Sequence, residues 1–141
     1  MRIIGFNLTK ISIERKEKIQ GQIQINQNID IKDVKTEKIP ISDSEALKIY
    51  FKFLIDYSNN SAKLEFEGSV LTIPEKEELK QTLDSWKKKQ IPPEVRTGLF
   101  NFIMSKCNIK ALFLEDEMAL PFHLPMPRIS PNQVSENNPQ R

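Results

Sequence analysis

The stretch from residue 92 to residue 120 constrains this chain most, because it reads as one long amphipathic helix. Val95, Leu99, Phe102, Ile103, Cys107, Ala111, Leu114 and Met118 recur at helical spacing and form a single apolar stripe. Pro92 and Pro93 suit the first turn, where a missing N–H leaves nothing unsatisfied, and Pro121 cannot continue the helix. A stripe of that length needs a broad apolar partner. Two alternating segments upstream, residues 47–57 and 62–73, supply it.

In the first of these, Leu47, Ile49, Phe51, Phe53, Ile55 and Tyr57 share one phase, against Lys48, Lys52 and Asp56. In the second, Ala62, Leu64, Phe66, Gly68 and Val70 alternate with Lys63, Glu65 and Glu67. Strict alternation places one set on a core face and the other outward. Asn59 and Asn60 lie between the segments, and asparagine tolerates positive φ, so a hairpin is expected there. The outward phase is not wholly polar. Tyr50, Leu54, Leu71 and Ile73 lie on it and offer apolar surface to a groove or a second subunit.

Nearer the N-terminus, Ile4, Phe6 and Leu8 alternate, and Ile11 with Ile13 continue one residue out of phase. One extra residue flips a strand's face, so the slip predicts a β-bulge. Ile19, Gly21, Ile23, Ile25, Ile29 and Ile31 form another run, expected to pair with the first as a hairpin across the charged turn 14–18. Residues 33–45, with Pro40, read as a loop. Pro74 opens a short helix over 75–89, with Leu79, Leu83 and Trp86 inward, acids in its first turn and lysines in its last.

The expected fold is α+β: a four-stranded antiparallel sheet with the short and the long helix packed on the face bearing Ile49, Phe51, Phe53, Leu64 and Phe66. Residues 1–129 are expected to form one domain. Residues 130–141 lack apolar periodicity and are expected to be a disordered tail.

Composition removes several function classes. With 21 basic and 19 acidic residues the net charge is +2, too balanced for a dedicated nucleic-acid binder. Only 4 glycines are present, and none forms a phosphate-cradling loop. A single cysteine allows neither an intrachain disulfide nor a cysteine-cluster metal site. No cofactor is expected. The opening residues are too few and too polar for a signal peptide, and no apolar run reaches membrane-spanning length, so a cytoplasmic chain is expected.

The reactive residue types have structural readings that outweigh the catalytic ones. His123, the only histidine, sits between prolines with no paired carboxylate or second ligand at suitable spacing. Cys107 lies on the apolar stripe, where a thiol is core rather than nucleophile. Glu115, Asp116 and Glu117 are consecutive on a helix and point in different directions, so they read as a solvated face. Trp86 followed by Lys87–Lys89 pairs an aromatic ring with charges, as an RNA contact would, although a helix C-terminus explains the lysines without a ligand. No enzyme is expected.

The order of four strands, short helix, long helix and proline-rich extension resembles the SecB-like family of export chaperones. Pro93-Glu94-Val95-Arg96 is similar to that family's approach to its long helix. Phe122-His123-Leu124-Pro125-Met126-Pro127 is similar to its extended segment beyond it, and Gly68-Ser69-Val70-Leu71-Thr72-Ile73 to its last strand. The resemblance implies a non-enzymatic holdase that binds unfolded or nascent polypeptide through apolar grooves, acts in protein export, and assembles as a homo-oligomer, a dimer or tetramer. The candidate polypeptide-binding residues are Tyr50, Leu54, Leu71 and Ile73, with Phe122, Leu124 and Met126 at the rim. A structural assembly subunit would show the same pattern. The alternative of another class is a ribosome- or RNA-associated module using Arg15–Lys18 and Lys87–Lys89, distinguished by salt-dependent RNA affinity.

Overall fold

The computed structural model describes residues 1–40 and 44–127, so the expected tail over 130–141 lies outside the described residues. Four strands, β1 (Arg2–Arg15), β2 (Ile25–Lys38), β3 (Glu45–Tyr57) and β4 (Ala62–Ile73), are followed by α1 (Lys76–Trp86) and α2 (Pro93–Glu117). The strands form one antiparallel sheet in the order β1-β4-β3-β2. The expected α+β architecture is therefore present.

The expected hairpin between the first two segments is not. β1 pairs with β4 and β2 with β3, so β1 and β2 are the two edges of the sheet. Strands two to four join as successive hairpins and the first lies beside the fourth, which is Greek-key order. Alternation reports which face a residue takes and says nothing about which neighbour the strand takes. The connection between β1 and β2 instead crosses the end of the sheet and is tied to the β3–β4 turn. Lys16 N–H donates to Ser61 O at 2.9 Å and Ser58 N–H to Gln24 O at 2.8 Å. That turn holds Asn59 and Asn60 at φ 61° and 54°, as their residue type allows. β2 also runs on to Lys38, through much of the segment read as a loop.

The predicted slip in β1 is real. Its register against β4 shifts between Leu8 and Lys10, with a second shift between Ile3 and Gly5. Opposite the first shift stands Gly68, paired with Leu8. A Cβ added there would lie 2.1 Å from Asn7 O and 3.0 Å from Leu8 Cα, so only glycine lets β1 approach this closely.

Both helices cover the face bearing Ile49, Phe51, Phe53, Leu64 and Phe66, all of which are buried. The α2 stripe that meets them is Val95, Leu99, Ile103, Cys107 and Ala111, one residue every fourth position. Phe6 fixes one flank of α2, stacking on Phe51 at 5.7 Å and meeting Phe102 edge-on at 5.8 Å.

Each helix ends in the same way. After α1, Gln90 N–H donates to Ser85 O and Lys89 N–H to Trp86 O, with Lys89 at φ 58°. After α2, Leu120 N–H donates to Glu115 O and Ala119 N–H to Asp116 O, with Ala119 at φ 52°. Both are Schellman closures in which a residue other than glycine takes the left-handed position. Lys87–Lys89 therefore lie in the closing turn beyond α1 rather than in its last helical turn, and α2 ends before Pro121 is reached. Arg15 completes the second end, its Nη1 donating to Met118 O at 2.8 Å and to Ala119 O at 3.1 Å.

Candidate functional site

The seven residues proposed from sequence fall on two surfaces. Tyr50, Leu54, Leu71 and Ile73 are half-buried on the sheet face away from the helices. That face is mainly ionic. Tyr50 lies between the ammonium groups of Lys35 and Lys48, at 5.6 and 5.5 Å from its ring centre. Leu54 stands opposite Glu65, and Leu71 opposite Lys48. Glu65 is 6% exposed, pairs with Lys10, and accepts from Lys52 Nζ at 2.8 Å. The hydrogen bonds from Lys10 and Lys52 hold its carboxyl down at about 2. Lys52 lies between Tyr50 and Leu54 along β3, so the apolar residues are interrupted by charge.

Phe122, Leu124 and Met126 belong to the helix side of the sheet. The segment that carries them is fastened by a buried polar cluster that sequence reasoning missed. His123 and Glu115 side chains are both 0% exposed, with His123 Nδ1 2.7 Å from Glu115 Oε2. His123 Nε2 lies 2.8 Å from Asn108 Oδ1, and the His123 backbone N–H donates to Glu115 Oε1 at 3.2 Å. The Tyr57 hydroxyl donates to Pro121 O, and burial beside the Glu115 carboxylate pushes its phenol up. Glu115 is therefore not part of a solvated face. The signal was its spacing, four residues after Ala111 in the sequence of buried positions 95, 99, 103, 107 and 111. A buried carboxylate at the end of an apolar stripe must find a partner, and the turn at Pro121 brings His123 back to it. The Glu115 and His123 side chains are closed to solvent, and the cluster fastens the segment to α2. Cys107 is equally enclosed; burial raises its thiol to about 11.

Two features are open instead. On the outer side of α2, Ile109 and Phe113 are 72% and 64% exposed, one turn apart. Phe122 and Met126 are exposed on the fastened segment beyond the helix. The second feature is a hollow of about 460 Å³ where β2 meets the α1–α2 junction. Ile31, Trp86, Ile91 and Phe100 give it apolar walls, and Asp30, Lys89 and Arg96 give it charge. The closing turn of α1 places Lys89 Nζ over the Trp86 ring at 4.7 Å. Among the described residues no cluster of three metal-ligating side chains occurs, and no helix is long and apolar enough to cross a membrane.

No family model matches the chain, and no curated protein matches it. Among solved structures it is similar to the Mycobacterium tuberculosis SecB-like chaperone Rv1957, in complex with a ChAD peptide from the Rv1956 HigA1 antitoxin. That likeness has a TM-score of 0.54 at 15% identity, and covers 92% of this chain and 89% of that chain. At this identity the likeness is one of fold, and the fold of this chain is SecB-like.

Proposed function

We propose that this chain is a non-enzymatic chaperone that holds unfolded or extended polypeptide by apolar contact, without nucleotide or metal. The observation that carries the reading is the hollow, walled by both apolar and charged side chains, beside an edge strand of the sheet, on a fold whose solved counterpart holds a peptide. Large open apolar side chains on a protein surface mark interaction sites, and the two most exposed here, Ile109 and Phe113, lie on α2, with Phe122 and Met126 on the segment after it and Ile4 and Ile11 on β1. Phe122, Leu124 and Met126 are contact residues on this reading. Met126 adapts to varied partners through its flexible thioether. Tyr50, Leu54, Leu71 and Ile73 give a second contact area on the ionic face. Assembly as a dimer or tetramer, a cytoplasmic setting and clients that await export belong to the same proposal.

The RNA alternative loses support at one of its anchor points, since Arg15 is engaged in closing α2. The test is suppression of aggregation of a chemically unfolded protein, followed by light scattering, with and without added salt and RNA. Suppression that ignores both is expected. Suppression lost on adding RNA would transfer the function to an anionic partner.

A further inference from the structure

The hollow at the α1–α2 junction has a charge character that narrows its partner. Asp30 and Ile31 both line it, and consecutive strand residues point to opposite faces. The hollow therefore lies against β2, an edge strand whose inner side is taken by β3, so the N–H and C=O groups along its outer side are outside the sheet's ladder. The strand runs regularly from Ile25 to Ile31 before its register shifts ahead of Asp33. An extended chain can therefore add there as a further strand.

The cations of the hollow lack carboxylate partners. Arg96 makes no side-chain hydrogen bond or ion pair with any described residue, and Lys89 meets only the Trp86 ring. The one acid in the lining, Asp30, already lies 3.7 Å from Lys32 Nζ. Trp86 and Phe100 line the same hollow as apolar walls.

Resting on the holding function above, we propose that this hollow selects extended segments in which an apolar or aromatic side chain is flanked by Asp or Glu. The segment adds to the free edge of β2, its apolar side chain lies between Trp86 and Phe100, and its carboxylates reach Arg96 and Lys89. A bidentate guanidinium contact gives the selection its direction.

Trp86 is the only tryptophan, so its fluorescence reports occupancy. Two tryptophan-free peptides with the same Phe-Val centre, one flanked by Asp and Glu and the other by Lys, are titrated against the full chain, with labelled-peptide anisotropy as a second readout. The acidic peptide is expected to bind at least tenfold tighter at low salt, and the ratio should shrink as salt rises. Arg96→Glu with Lys89→Glu, both exposed positions, should remove or reverse the preference, with the circular dichroism unchanged. N-methylation of alternate backbone amides in the acidic peptide should cost at least tenfold, because it removes donors to β2. Equal affinity for both peptides, or a preference that survives the double substitution, overturns the selection even if aggregation suppression persists. Failure of both peptides to bind overturns it too, and the aggregation assay on the same preparation then shows whether the holding function falls with it. Binding of an oligouridylate in place of either peptide, lost in the double variant, would assign the cations to nucleic acid.

Discussion

Glu115 and His123 show what a single residue's surroundings decide. Each ring nitrogen of His123 meets an oxygen, Glu115 on one side and Asn108 on the other, and both side chains of the pair are closed to solvent. Removing one member of a buried pair leaves the other unsatisfied, which costs far more than the pair's net contribution. His123→Ala is therefore expected to lower stability by about 3 kcal/mol in urea unfolding, and a loss near zero would show the carboxylate to be solvated. Glu65 behaves differently because its partners are lysines at the surface. Its carboxyl titrates at about 2 rather than the ordinary 4.5. A depressed native value means that the stabilisation is complete above pH 4.5 and is lost as pH falls toward 2. Urea midpoints should fall through that window in the parent chain and fall less steeply in Glu65→Gln, where Glu78, also held below its ordinary value by the Glu75 backbone N–H, still titrates. Sequence could mark Glu65 as outward-facing, but the convergence of Lys10 and Lys52 on it depends on β1 lying beside β4. That neighbour was not legible.

At the scale of elements, the phases of β3 and β4 and the stripe of α2 were readable because burial imposes periods of two and of nearly four on the sequence. What periodicity cannot carry is adjacency. β1 was assigned the right kind of bulge and the wrong partner, and Gly68 is where the difference becomes physical. Its missing side chain admits the backbone of Asn7 and Leu8. Gly68→Ala must push β1 outward, at a cost of roughly 2–3 kcal/mol, with faster hydrogen exchange across β1 than across β2. Unchanged exchange in β1 would mean that the approach is not tight. The helix ends make a similar point in the other direction. Ala119 sits in a left-handed conformation that costs a residue with a Cβ about 1 kcal/mol, so Ala119→Gly should leave stability unchanged or raise it by up to that amount. No glycine marked this end in the sequence, and Pro121 suggested a later one.

For the whole molecule, the question is what covers α2. Its inner side is consumed by the sheet, and Phe102, Leu114 and Met118 on one flank pack against the core. Ile109 and Phe113 point outward, uncovered by any described residue, and neither belonged to the apolar stripe read from the sequence. With a net charge of only +2, long-range repulsion does little to keep copies apart. A symmetric partner presenting the same two residues is the simplest cover, since a closed two-fold contact buries each patch against its own copy. The chain is accordingly expected to be a dimer or tetramer by light scattering at micromolar concentration, and Phe113→Asp should lower its mass by at least half without unfolding it. If the parent chain is a monomer, Ile109 and Phe113 are free for clients. Phe113→Asp would then abolish suppression of aggregation while leaving the mass unchanged. An effect on mass together with preserved holding would place the client surface in the hollow beside β2 and along Phe122 to Met126, away from the contact between copies.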